Sequence, residues 1–152
     1  MPPRTAEQLH REGSRVIQRN RQNVVEIRDW LRGASEKFND CANESCSKGT
    51  RMDAAFDAIL YCSFALLCAQ GWRAGSEPGH NKEVIETMAA TLRPTETQLD
   101  EVDSIRGWRN RKYRGPATPE DFELKTATDW ARRISERTAT WLRKNQPRVL
   151  KD

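Results

Sequence analysis

Apolar residues recur three and four positions apart along most of this 152-residue chain, the period of helices that bury one face. The clearest stripe is Val24, Ile27, Leu31, Ala34, Phe38 and Cys41, which predicts a helix of about five turns. Ser47-Lys-Gly-Thr50 breaks it. Thr50 with Asp53 has the form of a capping box and predicts a helix over 51–70. There Phe56, Ile59, Leu60, Phe64, Leu66 and Leu67 cover nearly the whole circumference. Such a helix belongs at the centre of a bundle, and Gly71 supplies its C-terminal stop.

Residues 71–79, with Gly75 and Pro78, read as a loop. Val84, Ile85, Met88, Ala89 and Leu92 then mark a shorter helix ended by Pro94. Thr95 or Thr97 opens the next one, which runs into a basic segment and is broken by Gly115-Pro-Ala-Thr-Pro119. Thr118, Pro119 and Asp121 form a start signal for a last helix carrying Ala127, Trp130, Ile134, Thr138 and Trp141 on one stripe. No period-two alternation lasts long enough for a strand. Residues 1–20 are polar and Arg-rich, and Leu9, Val16 and Ile17 give them only a thin apolar edge, so weak docking or mobility is expected. The tail, 146–152, is expected to fray. The fold class is all-α: one domain, a bundle of five or six helices, with its body over 21–145.

Composition changes this picture little. With 36% hydrophobic and 32% charged residues, the chain suits a bundle with much surface for its core. A net charge of +4 accommodates an anionic partner without requiring one. The apolar run Ile59 to Ala69 is too short to span a bilayer, and no secretory segment follows Met1, so a cytoplasmic protein without a membrane role is expected. Cys41, Cys46, Cys62 and Cys68 lack the paired spacing of a zinc site, and neither His10 nor His80 completes one. They read as core thiols, and no metal or cofactor is expected.

Chemistry concentrates in Asp103-Ser-Ile-Arg-Gly-Trp-Arg-Asn-Arg-Lys-Tyr-Arg-Gly115. At about 100° per residue, Arg106, Arg109 and Tyr113 fall on the stripe of Leu99 and Val102, while Arg111 and Arg114 point away and Trp108 lies to one side. Arginines on an inward face need an anion, either an internal carboxylate or an external phosphate. Asp53 and Asp57 on the central helix are available acids. Arg111, Lys112 and Arg114 form a basic rim that would add counterion-release affinity for nucleic acid. Trp30, Trp130 and Trp141 read as packing residues.

Arg109-Asn110, between the helix Asp100–Trp108 and the helix Pro119–Lys144, resembles the HEPN (higher eukaryotes and prokaryotes nucleotide-binding) superfamily. The likeness extends in architecture over about residues 23–145 and in motif over about ten residues. It implies a homodimer with a composite cleft, and for many members a metal-independent ribonuclease of toxin–antitoxin or defence systems. In that pattern an Arg followed by a polar residue clamps phosphate, and a His four to six residues after that polar residue transfers protons for 2′-hydroxyl attack. Here that window holds Arg114, Gly115 and Pro116, and no His follows His80. Tyr113 could bind a phosphate or base, but its reference pKa of about 10 makes it a poor base at neutral pH.

The expected site is therefore a phosphate-binding set of Arg106, Arg109, Asn110, Arg111, Lys112, Tyr113 and Arg114, with Arg109, Asn110, Tyr113 and His80 as catalytic candidates. The expected function is a degenerate HEPN-like protein that binds RNA or a nucleotide, or pairs with a nucleotidyltransferase-type or antitoxin partner. The alternatives are a divergent metal-independent endoribonuclease using His80, and an interaction homodimer whose arginines are internal ion pairs.

Overall fold

The most apolar segment of the chain becomes the axis of the bundle. In the computed structural model, which describes residues 2–75, 80–111 and 118–151, six α-helices enclose a main core and a smaller cluster around Ile27, Leu142 and Val149. The helices are α1 (Ala6–Arg11), α2 (Val24–Ala42), α3 (Lys48–Ala69), α4 (His80–Leu92), α5 (Glu96–Arg111) and α6 (Asp121–Asn145). Helix α3 touches α2, α4, α5 and α6, so it has little solvent side, as its nearly complete apolar circumference requires. It is long and apolar enough to cross a membrane by composition, yet 78% of its most apolar window is buried inside the bundle. The all-α bundle expected from periodicity is the observed architecture.

Local signals set the helix ends. Asn23 caps α2 by accepting from the Val25 and Glu26 amides. Ser47, not Thr50, caps α3, and its hydroxyl accepts from the Thr50 amide. The helix thus starts three residues earlier than the Thr50 signal implied. Gly71 ends it at φ +86°, a conformation that costs a glycine nothing. Thr95 opens α5 through a reciprocal exchange with Gln98. At α6 the cap moves to Glu120, whose amide bonds the Glu123 carboxylate at 3.0 Å, while Pro119 is buried just outside.

Three expectations fail. Two short strands exist, β1 (Ile17–Arg19) and β2 (Trp72–Ala74), paired antiparallel with Ile17 opposite Ala74 and Arg19 opposite Trp72. Three residues are too few to show a period of two. The N-terminal segment is not loosely docked, because this pairing carries Leu9, Val16 and Ile17 into the main core. Arg4 also binds Glu86 of α4 through its amide and its guanidinium, both at 2.8 Å. The tail is not frayed either. Pro147–Leu150 forms a 3₁₀ turn with Val149 buried. The Arg28 guanidinium donates to the carbonyl oxygens of Val149 at 2.8 Å and Arg148 at 3.1 Å, and to that of Lys151.

Candidate functional site

The basic segment does not form a single patch over the residues described, because α5 meets two neighbours at once. Its buried edge runs Val102, Ile105, Trp108, a spacing of three that faces both α3 and α6. The inward stripe expected through Arg106 and Arg109 is therefore rotated. Trp108, expected to one side of it, is 2% exposed, and the two arginines flank the buried edge.

Each arginine consequently finds a different acid. Arg106 turns back to Asp103 on its own helix at 2.8 Å and borders a groove between α4 and α5 lined by Ile85, Ala89, Leu99 and Val102. Arg111 crosses to Glu123 of α6 at 3.0 Å, beside a second groove that holds Trp108 and the exposed Phe122. Arg109 reaches α3, where Nη1 donates to Asp57 Oδ1 at 2.9 Å. Its guanidinium lies 4.8 Å from the Phe56 ring centroid, a cation–π contact on a buried ring. Asn110 is exposed. Lys112, Tyr113 and Arg114 lie outside the described residues. His80 begins α4, and its side chain is likewise outside what is described.

The Arg109 contact belongs to a longer feature that the sequence did not disclose. Glu26, Trp30, Gly33 and Lys37 recur at i, i+4, i+7 and i+11 on α2, and Asp57, Tyr61, Phe64 and Cys68 do the same on α3. The two rows run antiparallel and meet rung by rung. Lys37 Nζ lies 4.0 Å from Asp57. A Cβ on Gly33 would stand 3.0 Å from the Tyr61 ring. Trp30 packs at 4.5 Å from Phe64 and 5.3 Å from Tyr61. At the far end Cys68, Glu26 and Trp30 line one cleft with Arg73 of β2. Apart from the buried Cys68, the residues of the two rows are half-buried, so they form the outer edge of the α2–α3 seam. The neighbouring stripe from Val24 to Cys41 faces the core and dominates the apolar pattern of α2. The signal was present as a second, mixed aromatic and charged stripe beside it.

Electrostatically the seam has two ends. At one, two cations converge on a single carboxylate, and Arg109 and Asp57 keep 28% and 20% of their side-chain surface. At the other, burial and then the Glu26 carboxylate push the Cys68 thiol up to about 12. Burial likewise raises Cys41 and Cys62. All three are inert neutral thiols at physiological pH, in keeping with core positions; Cys46 is only half-buried. The first histidine, His10, lies outside the seam with its ring 5.2 Å from Trp72 and its Nδ1 3.2 Å from the Ile17 carbonyl oxygen.

Compared with protein-family models, curated proteins and solved structures, the chain matches none of them.

Proposed function

We propose that this chain is a HEPN-like helical bundle that binds RNA or a nucleotide at the corner formed by Lys37, Asp57 and Arg109, with a degenerate active site. The observation that carries this reading is that, among the described residues, Arg109 and Lys37 both lie against the one half-buried Asp57 carboxylate. The corner lies at the end of the penultimate helix, where the basic sequence Arg111-Lys112-Tyr113-Arg114 continues. A phosphate oxygen can take the place of water around Arg109 and Lys37 while Asp57 and the Phe56 ring keep the guanidinium oriented. Acid–base chemistry is weakly provided for. Guanidinium and ammonium groups are hydrogen-bond donors with no lone pair to accept a proton, and the motif position for His holds Arg114, Gly115 or Pro116. The setting we propose is a cytoplasmic toxin–antitoxin or defence system, with a nucleotidyltransferase-type or antitoxin partner and a homodimeric state.

A second reading has its own observation. Arg106, Arg109 and Arg111 each have an acid within 3.0 Å, as expected if they only tie helices together in an interaction protein. Titrating fluorescent single-stranded RNA against wild type, Arg109→Ala and Lys37→Ala at two salt concentrations separates the two. The proposed function predicts binding that weakens with salt and in both variants, with the RNA intact on a denaturing gel. Absence of binding at low salt sinks it in favour of the structural reading. Fragments that are lost in Arg109→Ala, and in a His80→Ala variant run beside it, would instead establish the divergent ribonuclease.

A further inference from the structure

We infer that the cleft at the far end of the α2–α3 seam is a base-binding pocket that selects guanine. It rests on the reading of the ligand as a nucleic acid or nucleotide, but uses residues distinct from the corner at Arg109. The cleft has a volume of about 420 Å³ and is lined by Glu26, Trp30, Phe64, Cys68 and Arg73, within the roughly 300–1,000 Å³ typical of ligand sites.

Its chemistry is specific. Trp30 supplies the aromatic wall, and its contacts with Phe64 at 4.5 Å and Tyr61 at 5.3 Å hold it in place before any base arrives. Stacking of this kind accepts every base alike. Selection falls to Glu26, which lines the cleft and whose carboxylate accepts from the Cys68 thiol, leaving its other lone pairs for a base. An ionised carboxylate only accepts hydrogen bonds. Guanine alone among the RNA bases offers two adjacent donors, N1–H and the N2 amine, on its Watson–Crick edge. Adenine and cytosine pair one donor with a ring acceptor that a carboxylate repels, and uracil flanks its one donor with carbonyls. The Cys68 thiol beside Glu26 stays neutral, so it adds no competing negative charge. Arg73 is exposed at the mouth, positioned for a phosphate rather than a base edge.

The pocket and the corner share one helix face. Asp57 and Cys68 are eleven residues apart on α3, about 16 Å along its axis, and Tyr61 and Phe64 lie between them. One short single-stranded segment spans that distance with its phosphates at the corner and one base in the cleft.

Calorimetric titration of the full chain with GMP, AMP, CMP and UMP tests the pocket, with Glu26→Gln and Arg73→Ala as variants checked for folding by circular dichroism. GMP should bind at least about ten-fold tighter than AMP, and Glu26→Gln should abolish the difference. Arg73→Ala should weaken all four nucleotides together. Equal affinity for GMP and AMP, or a preference that survives Glu26→Gln, overturns the assignment. RNA binding that depends on Arg109 but ignores both base identity and Glu26 would remove the pocket and leave the corner standing. A Glu26-dependent preference for GMP without Arg109-dependent RNA binding would do the reverse.

Discussion

Arg109 of α5 and Asp57 of α3, 52 residues apart in the chain, are joined by a 2.9 Å bond, and Lys37 of α2 approaches the same carboxylate at 4.0 Å. Three helices thus share one negative charge. Asp57→Asn leaves Arg109 and Lys37 facing each other without it, which should cost about 1–2 kcal/mol of stability. The same change should raise affinity for single-stranded RNA several-fold, because it adds net positive charge at the corner. Chemical denaturation and RNA titration of this variant give the two numbers. A loss of stability with no gain in binding would mark the pair as purely structural.

Two glycines in helices should respond oppositely to alanine. At Gly107 of α5 a Cβ meets nothing within 4 Å, so Gly107→Ala should stabilise by roughly 0.5–1 kcal/mol through helix propensity. At Gly33 of α2 the new Cβ would lie 3.0 and 3.2 Å from two Tyr61 ring atoms. Tyr61 would have to shift against Trp30, so Gly33→Ala should give no such gain. Thermal melts of both variants decide it, and an equal gain at the two sites would show that Tyr61 moves freely.

Arg28 holds the C-terminal turn by donating to three backbone carbonyl oxygens. Arg28→Ala leaves those acceptors without a cation and should expose Val149, with a loss of about 1–3 kcal/mol. Limited trypsin digestion should then cut at Arg148 faster than in wild type, before the bundle unfolds.

The thiols should divide by burial. Cys46 is half-buried, whereas Cys41, Cys62 and Cys68 are buried, so a thiol reagent should label one cysteine quickly in the native state and the other three only on unfolding. Their alkaline behaviour follows from the raised folded-state values. Above the unfolded value of 9.0 the unfolded chain loses thiol protons while the native chain retains them, so stability falls as pH rises. For Cys68 that loss runs from pH 9.0 to about 12, at about 1.4 kcal/mol per unit. Cys68→Ala should flatten the alkaline slope of a stability-versus-pH curve.

Much of the fold was legible in the chain. The stripe from Val24 to Cys41 and the nearly complete apolar circumference of α3 each specify an element and its depth, because burial of apolar area acts on every turn of a helix. Stops at Gly71 and Pro94 were legible because they act through the backbone of a single residue. The caps of α3 and α6 were displaced, since several neighbouring Ser, Thr and Glu side chains compete for the same amides.

The site was legible only as a list of residue types. Sequence determined that Arg106, Arg109 and Arg111 sit at the end of one helix and that each needs an anion. Which anion was a matter of tertiary structure, because α5 turns its Val102–Ile105–Trp108 edge to two helices and sends the arginines to Asp103, Asp57 and Glu123. The rows from Glu26 to Lys37 and from Asp57 to Cys68 are likewise periodic in the chain, but only antiparallel packing of α2 on α3 makes them one surface. The short strands and the docked termini belong with them. They are stabilised by partners far away in sequence, such as Ala74 for Ile17 and Val149 for Arg28, which no local pattern encodes.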